Sequence, residues 1–177
     1  MNPPVDDMRV LGQLLRCPEG EKAQAVGDYL FSSNSQMIYT TIDRLPLKAG
    51  MQVLVIDGVE PDPSVKTCKE GGAKMAAFNP DWIIALGGGS AMDAAKIMWV
   101  YYEYPGYNFD DLAAFKFPKL RTKAKLVGVP STSGTASEIT AFSVITDTEK
   151  NIKYPLVSPD IIPDIAIVAD RIPAKMT

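Results

Sequence analysis

The sequence predicts an α/β domain built on a mainly parallel sheet with flanking helices. Three observations carry that prediction. Short β-branched runs alternate with segments whose apolar residues recur at helical spacing. Trp82 to Leu86 is a continuous apolar run of strand length, the pattern of a strand covered on both faces. That run enters Gly87-Gly88-Gly89-Ser90 directly, and a helical pattern follows, so the centre of the chain is a strand, a glycine turn and a helix N-terminus. With 177 residues, 46% apolar and 22% charged, the chain can bury one core.

The elements follow in order. Residues 1–35 read as an N-terminal arm and a helix without assigned chemistry: Pro3, Pro4 and Pro18 interrupt the start, and Glu21 to Phe31 places Ala23, Val26 and Leu30 at helical spacing. Ser32, Ser33 and Asn34 end that helix. Residues 36–177 form the α/β domain proper, opening with a strand over Gln36 to Thr41. Gln52 to Ile56 is the next strand, closed by Asp57-Gly58 and the rigid Pro61-Asp62-Pro63. Ser64 caps a helix whose Val65, Cys68, Gly72, Met75 and Phe78 share one face, and Asn79-Pro80 stops it. After the central strand, Ala91 to Glu103 forms a helix with Met92, Ala95, Trp99 and Tyr102 as its apolar stripe. Pro105-Gly106 breaks it, and a loop rich in lysine leads to a strand at Leu126 to Val129, ended by Pro130. Phe142 to Ile145 and Lys153 to Val157 pair as a hairpin around the Asp147 to Asn151 turn, and Ile165 to Val168 is the last strand.

Composition excludes several classes. The 18 basic and 21 acidic residues leave a net charge of −3, which gives no general attraction to nucleic acid or to acidic lipid. Lys116, Lys119, Arg121, Lys123 and Lys125 form the one basic run, and it reads as a solvated loop. No apolar run reaches the length of a membrane span, and the N-terminus lacks the basic and apolar regions of a signal peptide. Cys17 and Cys68 match no metal or redox spacing, so a reducing, cytoplasmic setting is expected. The chain has no histidine, so any mechanism needing an imidazole must borrow it.

Two segments carry chemistry. At a strand-to-helix turn, free backbone N–H groups converge with the positive end of the helix dipole, and glycine lets an anion approach without a Cβ in the way. The Gly87 to Ser90 turn is therefore a phosphate-binding candidate, although Met92 occupies the third glycine position of the common dinucleotide fingerprint and the Gly-Lys-Ser/Thr of a P-loop is absent. A tight turn that needs permissive backbone explains the same glycines without a ligand. Ser131 to Glu138 follows a strand and is dense in hydroxyls, which suits phosphate or ribose oxygens; a helix cap at Ser133 or Thr135 is the alternative. If both strands end at one sheet edge, the two segments lie side by side.

Together, I-I-A-L-G-G-G-S-A-M-D-A-A-K (Ile83 to Lys96) and V-P-S-T-S-G-T-A-S-E-I-T (Val129 to Thr140) resemble the iron-type, or group III, alcohol dehydrogenases. Glu60-Pro61-Asp62-Pro63, Ile145 to Pro155 and Pro163 to Asp170 extend the resemblance in order and spacing, and Lys96 to Glu103 looks most like the alcohol dehydrogenase half of bifunctional aldehyde-alcohol dehydrogenases. The resemblance runs from about Gln36 onward. It implies a Rossmann-like fold similar to the N-terminal domain of dehydroquinate synthase, which binds NAD or NADP, followed in the family by a helical domain holding Fe(2+) or Zn(2+). It also implies hydride transfer between a small alcohol or aldehyde and the nicotinamide.

Carried onto this sequence, the resemblance assigns the cofactor pyrophosphate to Gly87, Gly88, Gly89 and Ser90, with Ala91 and Met92 close by. It assigns a nicotinamide-side contact to Ser131 and Thr132, and further cofactor positions to Val144 and Lys153. Asp62, which stands where many members have an asparagine near the cofactor, is carried over as a further cofactor position. Asp93 and Lys96 match the motif and are equally explained as helix-surface and capping residues. Two departures accompany the match. Tyr39-Thr40-Thr41 runs almost directly into Ile42-Asp43-Arg44-Leu45, so the turn that holds the adenosine ribose is expected to be missing, and Asp43 is a surface charge rather than its replacement. The family's metal ligands, an aspartate and three histidines, lie beyond the segment resembled by Arg171 to Thr177, so no metal site is expected in this chain. The expected role is the NAD(P)-binding part of such an enzyme, working with a helical domain or as a homo-oligomer. The alternative is a noncatalytic nucleotide-binding or oligomerisation module left from one.

Overall fold

A computed structural model describes the backbone of residues 22–28 and residues 52–168 in full. Its centre is a five-stranded parallel sheet: β1 (Lys22–Asp28), β2 (Gln52–Val59), β3 (Trp82–Gly87), β4 (Lys125–Pro130) and β7 (Ile165–Ala166), in the spatial order β2-β1-β3-β4-β7. Helices α1 (Val65–Phe78) and α2 (Gly89–Glu103) provide the crossovers, and α3 (Phe109–Ala113) is a short turn of helix beyond α2. A hairpin of β5 (Phe142–Asp147) and β6 (Ile152–Val157) forms a separate two-stranded sheet. The α/β architecture is as expected.

The N-terminal helix is not. Lys22–Asp28 is a strand between β2 and β3, with Ala23 level with Val53 on one side and Trp82 on the other. Three apolar residues at spacings of three and four fit a helix locally, but a parallel strand on either side supplies a full ladder of backbone partners, and that outweighs the local pattern. The segment read as a helix thus contributes a central strand. The strand expected over Gln36 to Thr41, together with Asp43 and Cys17, lies outside the described residues.

β2 also runs past its expected stop. Asp57-Gly58 does not close it; Gly58 adopts φ 75° inside a register irregularity opposite Val26 to Asp28, and the strand continues to Val59. β7 is shorter than expected, ending at Ala166.

The central strands are buried on both faces, as the apolar run Trp82 to Leu86 requires. Ile83, Ala85 and Leu126 join a core with Ile97, Met98, Trp99 and Tyr102, while Ile84, Leu86, Val127 and Val129 form a second cluster on the opposite face. Burial of each such large aliphatic side chain contributes about 1.5–3 kcal/mol. α1 starts where expected, with Ser64 Oγ accepting from the Thr67 amide at 3.1 Å, and stops at Asn79 with φ 57°. Its close approach to α2 needs Gly72, since a Cβ there would lie 2.5 Å from Tyr101 Cβ.

α2 differs from its expected single stripe: it is buried nearly all round, including Lys96 and Glu103. Glu103 accepts from the Trp99 indole and from the backbone amides of Thr122, Lys123 and Ala124, so its carboxylate organises the loop that enters β4. Arg121 of the basic run is engaged in the same region, with a 2.7 Å ion pair to Asp164 and its guanidinium over the Trp99 ring. Among the described residues, no helix is long and apolar enough to cross a membrane.

Candidate functional site

The chain places β2 and β3 on opposite sides of β1, so the order of connection reverses beside β3. In open α/β sheets such a reversal leaves a crevice outside the carboxyl ends of the strands, the usual place for a ligand. β3 delivers Gly87 to that edge. Gly87 sits at φ 153°, a positive value that a side chain adopts only at a cost. Gly88 is the N-cap of α2 and contributes no side-chain acceptor, so the first-turn amides carry no side-chain cap.

The hydroxyl-rich segment lies beside this turn, as expected. Gly87 is level with Pro130, and the Ser131 amide donates to the Gly87 carbonyl at 2.8 Å. The alternative of a helix cap at Ser133 or Thr135 is not realised, because residues 131–141 form turns and bends with no helix after them. The segment instead folds back on the glycine turn: a Cβ on Gly89 would stand 3.3 Å from Thr135 Cγ2 and 3.5 Å from Ser137 Oγ. Ser131 is fully buried here, and its Oγ has no hydrogen-bond partner among the described residues. A buried hydroxyl without a partner costs about 1–3 kcal/mol, so this one fits a ligand oxygen. The glycine turn and Ser131 therefore suit the phosphate and hydroxyl groups of a dinucleotide.

The other expected site residues fall around this centre with different availabilities. Ser90 Oγ accepts a long, 3.4 Å bond from the Asp62 amide. Asp62 pairs with Lys153 at 2.7 Å, which brings the α1 approach and β6 together at the mouth. The Glu60 carboxylate, accepting from the Ser64 amide and the Thr67 hydroxyl, fixes the turn that carries Asp62; burial works to raise its pKa, but these bonds outweigh it and the net shift is downward. Thr132 is half-buried next to Ser131. Ala91 and Met92 are packed in the interior, so neither presents a side chain to a ligand.

Val144 is half-buried, and its amide is already used by Asp93 Oδ2 at 2.9 Å. Here the structure corrects the surface reading of Asp93 and Lys96. Lys96 is fully buried, with Nζ donating at 2.8 Å to the carbonyls of both Thr140 and Phe142. Ser143 Oγ donates to the Asp93 carbonyl at 3.0 Å. The helix that presents the glycine turn thus holds, one turn further on, the hairpin that carries Val144 and Lys153. Burial raises the Asp93 carboxyl to about 6 against the opposing Val144 amide and Lys96, and burial lowers the Lys96 ammonium to about 8 against Asp93 and Glu138. The signal was present in the sequence: two charges, three apart, enclosed by Met92, Ala94, Ala95, Ile97 and Met98.

Among the described residues no group of three or more histidine, cysteine, aspartate or glutamate side chains could hold a metal ion. Cys68 is free and buried, and burial holds its thiol well above the ordinary range.

Comparison with known proteins gives the family. The profile of iron-containing alcohol dehydrogenases matches residues 6–170. An NADPH-dependent butanol dehydrogenase of Clostridium saccharobutylicum is 56% identical over 135 residues, covering 73% of this chain and 35% of its own length. The bifunctional aldehyde-alcohol dehydrogenase of Escherichia coli K12 is 48% identical over 129 residues, 68% of this chain and 14% of that enzyme. Among solved structures, the iron-containing alcohol dehydrogenase of Thermococcus thioreducens superposes with a TM-score of 0.78 at 32% identity, covering 94% of this chain and 44% of that one. The chain thus spans about a third of the butanol dehydrogenase and less than half of the solved structure. With a match that begins upstream of β1 and runs beyond β7, the chain belongs to the iron-containing alcohol dehydrogenase family.

Proposed function

We propose that this chain is the NAD(P)-binding part of an alcohol dehydrogenase, holding the dinucleotide for reversible hydride transfer between an alcohol and an aldehyde. The observation that carries this reading is the buried, unpartnered Ser131 hydroxyl beside an uncapped glycine turn, at the sheet edge where the connection order reverses. Backbone amides of the α2 first turn would receive the pyrophosphate, and Ser131 and Thr132 would receive the nicotinamide side. When bound, the dinucleotide supplies the hydride acceptor or donor. The chain's own task is to orient it: the glycine turn fixes the phosphates, and the hairpin held by Asp93 and Lys96 walls one side.

Activation of the alcohol oxygen would fall to metal ligands on a helical domain, since the chain itself has no histidine. A small alcohol or aldehyde is the substrate class, and a reducing cytoplasmic setting suits the free Cys68 thiol. The second reading is a nucleotide-binding module without turnover.

Calorimetry with NADPH, NADP, NADH and NAD tests the binding claim. Weak binding is expected, and Gly88→Val should abolish it by placing a side chain where the pyrophosphate lies. No heat with any of the four, or unchanged affinity in the variant, refutes the assignment. Alcohol-dependent reduction of NAD or NADP then separates the two readings: turnover that appears on adding a metal-loaded helical domain supports the enzyme part, and persistent inactivity with intact binding supports the module.

A further inference from the structure

We propose that Asp62 is an intramolecular competitor of the cofactor: it occupies the Lys153 ammonium, which a nucleotide phosphate must take from it. The inference rests on the nucleotide-binding reading and assigns to the Asp62 carboxylate a role that opposes affinity.

The geometry points there in three steps. The ammonium and carboxylate meet at 2.7 Å, a close charge-assisted contact, so Lys153 has its anion before any ligand arrives. The pair stands at the candidate phosphate site, because the Asp62 amide donates to Ser90 Oγ in the first turn of α2. A carboxylate there also repels an approaching phosphate. Finally, the pair is easily exchanged: the side chains are 57% and 59% exposed, and ion pairs so open to water contribute little. A phosphate brings more charge and more acceptor oxygens than one carboxylate, and can replace it.

The neighbouring cation is not an equivalent substitute. Lys150, in the hairpin turn three residues before Lys153, is itself paired with Asp110 and Asp147. The backbone at Asp62 is held independently of the carboxylate, through the Glu60 contacts to Ser64 and Thr67. Asp62 adopts φ 57°, a left-handed conformation that aspartate and asparagine both tolerate. Asp62→Asn therefore removes the charge while keeping shape and backbone.

The test is calorimetric titration of the full chain at low ionic strength with two probes, NADPH and inorganic pyrophosphate. Asp62→Asn is expected to tighten binding of both by about two- to fivefold, the range set by the strength of exposed ion pairs. Lys153→Gln should weaken both, and in the Lys153→Gln background the gain from Asp62→Asn should fall by at least half. Raising the salt should shrink the gain. A merely structural Asp62 would give equal or weaker binding on substitution, and that result overturns the proposal while leaving the nucleotide reading intact. Pyrophosphate tightened by Asp62→Asn without any NADPH binding removes the nucleotide reading and, with it, competition against the cofactor. Binding of neither probe overturns both.

Discussion

Replacing Lys96 by methionine sets two large effects against each other, and the structure gives the size of each. The variant loses two charge-assisted bonds at 2.8 Å, to the Thr140 and Phe142 carbonyls, each worth about 1.5–3 kcal/mol. It is relieved of a buried ammonium whose pKa stands at about 8 against 10.5, a cost of roughly 3 kcal/mol. The difference is a destabilisation of about 0–3 kcal/mol near pH 7. The pH dependence is sharper than the magnitude. The unfolded lysine keeps its proton up to about pH 10.5, while the folded one releases it near 8, so wild-type stability rises with pH across that window. Between pH 7 and 9.5 the rise amounts to about 2 kcal/mol, and methionine lacks it. Tyrosine ionisation is common to both proteins and cancels in the difference. Urea unfolding at the two pH values is the assay, and the gap between wild type and variant should widen by about 2 kcal/mol. A gap that stays constant or narrows would show that Lys96 is not held charged against burial at neutral pH, and the reasoning fails. Amide exchange gives a second readout: β5, which loses its anchor at Phe142, should exchange faster while β3 and β4 do not.

Substitutions at two further positions probe the same framework. Asp93→Asn keeps an oxygen for the Val144 amide and removes a carboxyl raised to about 6 from 3.8; the folded wild type binds the extra proton between those values and loses stability as pH rises through them. The variant should therefore improve relative to wild type by up to about 2 kcal/mol between pH 4.5 and 7.5 in urea unfolding, and no improvement counts against a desolvated carboxylate. Glu103→Ala strands the Trp99 indole and the amides of Thr122, Lys123 and Ala124, and should cost about 3–5 kcal/mol at neutral pH. Calorimetric melting is the check; Glu103→Gln, which keeps one acceptor, should fall between, and a loss below about 1 kcal/mol for alanine refutes the role given to the carboxylate.

The sequence by itself determined the elements whose signals are local. Ser64 and Asn79 bound α1 because caps act within one turn of the backbone. The run from Trp82 to Leu86 announced a strand covered on both faces, and the glycines after it announced the α2 N-terminus. The neighbourhood of Gly87 and Ser131 was legible too, because two parallel strands that end level must bring their following loops together. What only the tertiary structure decided depends on partners distant in the chain. Lys22–Asp28 is a strand because β2 and β3 flank it, and nothing within seven residues reports that. Asp93 and Lys96 are buried because the hairpin, some fifty residues later, covers them and offers its amide and carbonyls in return. Asp62 meets Lys153 across a separation that no spacing rule spans. Local propensity is a matter of tenths of a kcal/mol per residue, whereas backbone pairing and the burial of a charge each cost or contribute several, so where the two disagree the long-range contact sets the structure.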